Sequence, residues 1–217
     1  MGRVFASRLE AGRELGKALA AYRGRHALVL AIPRGAVPMG AEIAAALEAE
    51  LDVVLVRKLG APGGPEFAVG AVDEGGWTYV ADYAAEVGAD AAYLAREKAA
   101  QMALLRRRRA LYTPARPPID PRGRVAIVVD DGIATGASMI AALHSVRAKA
   151  PARLVCAVPV GAPESLAAVR PHADELVCLE APEEFRAVGQ FYRDFAQVED
   201  DEVVTLLARS AHREAQT

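Results

Sequence analysis

Residues 124–138, Arg-Val-Ala-Ile-Val-Val-Asp-Asp-Gly-Ile-Ala-Thr-Gly-Ala-Ser, constrain the fold more than any other stretch of the chain. Val125 to Val129 is a continuous apolar run. Such a run reads as a strand buried on both faces of a parallel sheet. Asp130 and Asp131 stand where that strand should end. Gly132-Ile-Ala-Thr-Gly-Ala-Ser138 then predicts a tight turn into a helix running to about Lys149. In open α/β sheets, ligands sit beyond the carboxyl ends of the strands. The stretch therefore predicts two carboxylates and a helix N-terminus in one crevice.

The turn has the chemistry of an anion cradle. Gly132 and Gly136 allow close backbone approach. The free N–H groups and positive dipole end of the helix favour a phosphate. Thr135 and Ser138 add hydroxyl donors. Two adjacent carboxylates repel each other and need a partner. They suit a diol or a hard cation such as Mg²⁺. Together these parts describe a phosphorylated sugar. Neither the Walker A pattern nor G-x-G-x-x-G fits, because no Lys follows the second glycine and the glycine spacing differs.

The rest of the chain reads as alternating strands and helices. Ser7 can cap a helix to about Tyr22. His26–Ile32 and Asp52–Val56 read as strands around an Ala-rich helix, Met39–Ala49, a βαβ unit with right-handed crossover. Pro33-Arg-Gly-Ala36 breaks the first strand at its carboxyl end. Arg57-Lys58 is followed by glycines and prolines that predict no regular structure through Phe67. Ala68–Asp73 and Trp77–Ala81 flank Glu74-Gly75-Gly76 as a hairpin. Asp90 to about Leu111 is a long helix, and 113–122 a proline-rich connector. Arg153–Val160 and Asp174–Leu179 are strands around a short helix, Pro163–Val169. In the tail, Phe185, Phe191, Tyr192 and Phe195 cluster before an amphipathic helix that starts in 198–202.

Composition narrows the class. The 217 residues are 53% hydrophobic and 25% charged, enough for one α/β domain with an appendage. A net charge of -2 gives no global sign of nucleic-acid or membrane binding. The run Arg106 to Arg109 reads as a solvated helix face. Cys156 and Cys178 read as buried free thiols. No leader and no membrane span is expected, so the default location is cytoplasmic.

Val-Val-Asp-Asp-Gly-Ile-Ala-Thr-Gly-Ala-Ser resembles the 5-phosphoribosyl-1-pyrophosphate (PRPP) motif of type I phosphoribosyltransferases at every defining position. The tail also resembles that of a little-characterised bacterial group of such proteins. The resemblance implies a Rossmann-like α/β core, 1–180, with a mostly parallel sheet of about five strands flanked by helices. It implies a flexible loop, 57–70, and a small C-terminal hood, 181–217. The expected activity is Mg²⁺-dependent transfer of phosphoribosyl from PRPP to a nitrogen acceptor, with release of diphosphate. A PRPP-binding regulator without turnover is the alternative. Homodimers are compatible with this reading.

The implied PRPP contacts are Arg34, Gly35, Asp130, Asp131, Gly132, Ile133, Ala134, Thr135, Gly136, Ala137 and Ser138. Arg57 and Lys58 stand where the family places diphosphate-binding cations, and with Asp130 and Asp131 they form the implied catalytic set. Asp130 and Asp131 are also the implied Mg²⁺ ligands, in part through PRPP and water. The short loop at 32–36 often carries a non-proline cis peptide in this family. Ala134 stands where 6-oxopurine enzymes commonly have an Asp, which argues against that acceptor class. Phe191 or Tyr192 is expected to stack on the acceptor ring.

Overall fold

A computed structural model describes residues 3–114 and 117–214. Residues 115–116 of the proline-rich connector and 215–217 of the expected tail lie outside the described residues. The chain opens with α1 (Arg8–Ala18), whose N-cap Ser7 accepts a hydrogen bond from the Glu10 amide. Next come β1 (Leu28–Ala31), α2 (Val37–Leu47) and β2 (Glu50–Val53). Three strands follow: β3 (Val56–Ala61), β4 (Gly64–Asp73) and β5 (Thr78–Val80). Then come α3 (Ala91–Tyr112), β6 (Val125–Val129), α4 (Ala137–Arg147) and β7 (Arg153–Val160). The chain closes with α5 (Pro163–Val169), β8 (Glu175–Glu180) and α6 (Asp200–Glu214).

The main sheet has five strands in the order β2-β1-β6-β7-β8, and every pairing is parallel. Its strands send alternate side chains to opposite faces. Val29, Ala31, Ile127, Val129, Val155 and Ala157 join the core beneath α1, α2 and α6. Leu28, Leu30, Ala126, Val128, Leu154 and Cys156 join a second core beneath α4 and α5. Burial on both faces explains why these strands lack polar alternation. After β1 the chain crosses to one side, and after β6 it crosses to the other. A switch of this kind opens a crevice between the two strands. Ala31 pairs with Val129, so both strands end level there. The loop after β1 and the loop after β6 therefore leave the sheet together.

The second sheet, β3-β4-β5, is antiparallel and corrects one expectation. The glycines and prolines after Lys58 do not prevent regular structure. Arg57, Lys58 and Leu59 pair with Val72, Ala71 and Gly70, and the register shifts only on either side of Gly60. Leu59 is fully buried and anchors the strand. Gly63, at φ 75°, occupies a left-handed position that glycine adopts at little cost, and it closes the hairpin.

The four-arginine run at the end of α3 is also not uniformly solvated. Arg109 turns inward and is 11% exposed at its side chain. It bonds Asp52 Oδ1 at 2.8 Å, Glu74 Oε2 at 2.7 Å and the Val53 carbonyl at 3.0 Å. One guanidinium thus ties α3 to β2 and to the turn after β4. Cys156 is buried and Cys178 half-buried, and both are free thiols. Among the described residues, no helix is long and apolar enough to cross a membrane.

Candidate active site

The crevice between β1 and β6 gathers most of the residues singled out above. From β1 comes Pro33-Arg34-Gly35-Ala36, with a cis peptide between Pro33 and Arg34. From β6 come Asp130, Asp131 and the turn into α4. Gly35 and Asp131 meet in the middle. A Cβ added at Gly35 would lie within van der Waals overlap of Asp131 Oδ2, and 3.3 Å from an Arg8 terminal nitrogen. No other residue type leaves room there for both groups.

The turn is pinned from the neighbouring strand. The Ile133 amide donates to the Val160 carbonyl at 2.9 Å, and the Ala162 amide donates back to the Ile133 carbonyl at 2.9 Å. Ser165 Oγ donates to the Ala134 carbonyl at 2.6 Å. Gly136 is the N-cap of α4 with φ 79°, and no side chain caps the helix. Its first amides are therefore free of a side-chain acceptor, as an anion site requires. Ala134, Thr135 and Ser138 are exposed around that opening, while Gly132, Ile133 and Gly136 are buried beneath it and Ala137 is half-buried.

The two carboxylates have different surroundings. Asp130 Oδ1 accepts from the Asp131 amide at 2.9 Å. Asp131 Oδ2 accepts from Arg8 Nε and Nη2, both at 2.9 Å. Burial, and then the charge of Asp131, pushes the Asp130 carboxyl well above the usual range. Burial also raises Asp131, against the pull of Arg8. A proton held by folded Asp130 favours folding below the ordinary carboxylate pKa. That contribution is lost as pH rises through the folded-state value. Asp130→Asn should accordingly melt higher than the parent near neutral pH, with the gap closing in acid. Scanning calorimetry from pH 4 to pH 8 checks this, and a lower neutral melting temperature would mark the pair as structural.

Other expected residues are dispersed. Arg34 Nη1 lies 3.4 Å from Glu199 and 3.9 Å from Asp200, at the acidic start of α6. Arg57 Nε donates to Gln101 Oε1 on α3 at 2.5 Å. Lys58 is exposed one residue further along β3. Val56 packs against the core that holds Ile133 and Met139, and strand alternation puts Lys58 on the same face.

Phe191 and Tyr192 do not face outward as an acceptor platform would. They are 4% and 6% exposed, sealed by Phe185 and Phe5. Their burial follows from the backbone. Phe5 donates to the Phe191 carbonyl and accepts from the Arg193 amide, which zips the tail to the chain's start. The Tyr192 hydroxyl donates to the Asp131 carbonyl at 2.6 Å, supporting the site from behind. Phe195, 37% exposed, is the ring of this cluster with open surface. Val188 packs over the turn as well: a Cβ on Gly132 would come 2.6 Å from its Cγ1.

Sequence reasoning overlooked Arg8. It bonds Asp131 across 123 positions, and no local motif marks it.

The phosphoribosyl transferase domain family matches residues 8–196. A Mycobacterium tuberculosis (strain ATCC 25618 / H37Rv) protein, provisionally named a phosphoribosyl transferase, is 44% identical over 213 residues. That match covers 98% of this chain but 48% of the relative, so the chain spans about half the length of the curated relatives it matches. The crystal structure of TT1426 from Thermus thermophilus is 47% identical, with a TM-score of 0.86. The match covers 95% of this chain and 98% of that one. A Neisseria gonorrhoeae protein solved with bound ppGpp shares the fold at 13% identity, with a TM-score of 0.53 over 96% and 98% of the two chains.

Proposed function

The chain belongs to the phosphoribosyl transferase family, and on that premise we propose that it moves the phosphoribosyl group of PRPP to a nitrogen acceptor. The observation that carries this reading is the crevice at the β1–β6 switch point. There a cap-free helix N-terminus opens beside two adjacent carboxylates. The α4 amides, Thr135 and Ser138 bind the 5-phosphate. Asp130 and Asp131 accept from the ribose hydroxyls. Arg34 and Lys58 approach the diphosphate, for which Arg34 must leave Glu199, while Arg57, on the opposite face of β3 with Gln101, supports that strand.

The reaction breaks the bond between ribose C1 and diphosphate, with positive charge growing on the sugar ring. The chain then has to hold the acceptor in line and balance charge on the leaving group. Mg²⁺ is usually held by one or two carboxylates plus substrate phosphates, which the hard oxygens of Asp130 and Asp131 fit. When bound there it would neutralise charge on the departing diphosphate. The acceptor lies against the hood edge, where Val188 and the open rim of the Phe195 ring are offered, because Phe191 and Tyr192 are buried.

Purified protein with PRPP and Mg²⁺, screened for diphosphate release against nucleobases and aromatic acids, tests the activity. Release that depends on one acceptor supports transfer. PRPP binding without release from any acceptor would favour the regulator reading. Lys58→Ala should lower turnover about 10- to 100-fold, the scale of one hydrogen bond to a charged group. Because Lys58 is exposed, stability should stay within about 0.5 kcal/mol of the parent. Unchanged turnover would remove Lys58 from the diphosphate site.

A further inference from the structure

We propose, building on the function above, that Arg8 is the positioning residue for Asp131 and sets how strongly the site distinguishes ribose from deoxyribose. Arg8 is the first residue of α1. The backbone just before it is zipped to the hood, since the Arg193 and Asp194 amides donate to the Phe5 and Ala6 carbonyls at 2.9 and 3.0 Å. Its guanidinium is fixed on every side. Nε and Nη2 both reach Asp131 Oδ2 at 2.9 Å. Nη1 reaches the Ala196 carbonyl at 2.7 Å. The plane lies over the Phe195 ring, with Cζ 3.8 Å from its centroid. The side chain is only 11% exposed.

Two donors on one oxygen fix the direction of that carboxylate. They occupy Oδ2 and leave Oδ1 for a sugar hydroxyl. A lysine could supply the charge but not the fork, because its ammonium cannot engage Asp131 and Ala196 while lying flat on Phe195. Arg8 touches no substrate atom in this account and acts through Asp131.

The test compares affinities for ribose 5-phosphate and 2-deoxyribose 5-phosphate by calorimetry. The proteins are the parent, Arg8→Met, Arg8→Lys, Asp131→Asn and the Arg8→Met/Asp131→Asn double variant. The parent should prefer the ribose compound. Arg8→Met should lose about tenfold of that preference, the scale of a charge-assisted hydrogen bond, and Arg8→Lys should fall between. The double variant should lose no more preference than Asp131→Asn alone, as residues acting as one unit do. If Arg8→Met does not fold, the same ratio in Arg8→Lys decides. A preference kept in the Arg8 variants but lost in Asp131→Asn overturns the role of Arg8 and leaves the ribose site intact. A parent that binds neither sugar phosphate overturns the proposed function, and this inference with it.

Discussion

Gly35→Ala should reduce PRPP affinity about 100-fold while the protein stays folded. Its backbone is not in the left-handed region that favours glycine, so alanine meets no conformational penalty. The penalty is contact. The added methyl would overlap Asp131 Oδ2 and approach Arg8. Asp131 must rotate away, and its bond to Arg8 goes with it. A displacement of about 1 Å in a positioned group can cost about 10²-fold. Overpacking costs about 1–3 kcal/mol of stability, which a domain of this size can absorb. Affinity measured together with melting temperature checks this. Normal affinity in Gly35→Ala would mean that Asp131 does not touch the ribose.

Arg109→Met should destabilise the fold by about 3–5 kcal/mol, the cost of breaking a buried ion pair from one side. Asp52 is 1% exposed and Glu74 11% exposed, so neither gains much water when the shared cation is lost. At about 2–4 °C per kcal/mol for a chain of this length, the melting temperature should fall by about 6–20 °C. Because the lost contacts join α3 to β2 and to the turn after β4, the small sheet should loosen first. Hydrogen exchange in β3–β5 tests that order. A shift below about 2 °C would mean that the network is surface-like and screened.

The parts legible in the sequence were those encoded locally. The run Val125–Val129, the acidic pair and the glycine turn lie within a few residues of one another, and the structure returns them as β6, the strand's end and the turn into α4. The Ser7 cap was legible for the same reason. What failed was pairing at a distance. Arg57 sits opposite Val72, and no property of Leu59–Gly64 alone announces that partner. Arg109 differs from Arg106 to Arg108 only in its helical phase and in meeting Asp52. Phe191 and Tyr192 were correctly read as a cluster, but their direction depends on Phe5, at the other end of the chain. Arg8 reaches Asp131 only because that end returns to β6.

The central claim is that one crevice binds PRPP through the acidic pair and the α4 turn. Calorimetric titration of PRPP with Mg²⁺, into the parent and into an Asp130→Asn/Asp131→Asn variant, tests it most directly. The account predicts binding by the parent, a loss of at least about tenfold in the variant from the missing charged acceptors, and a variant that still unfolds in one cooperative transition. Equal PRPP affinity in the two proteins, or no binding by the parent, would contradict it.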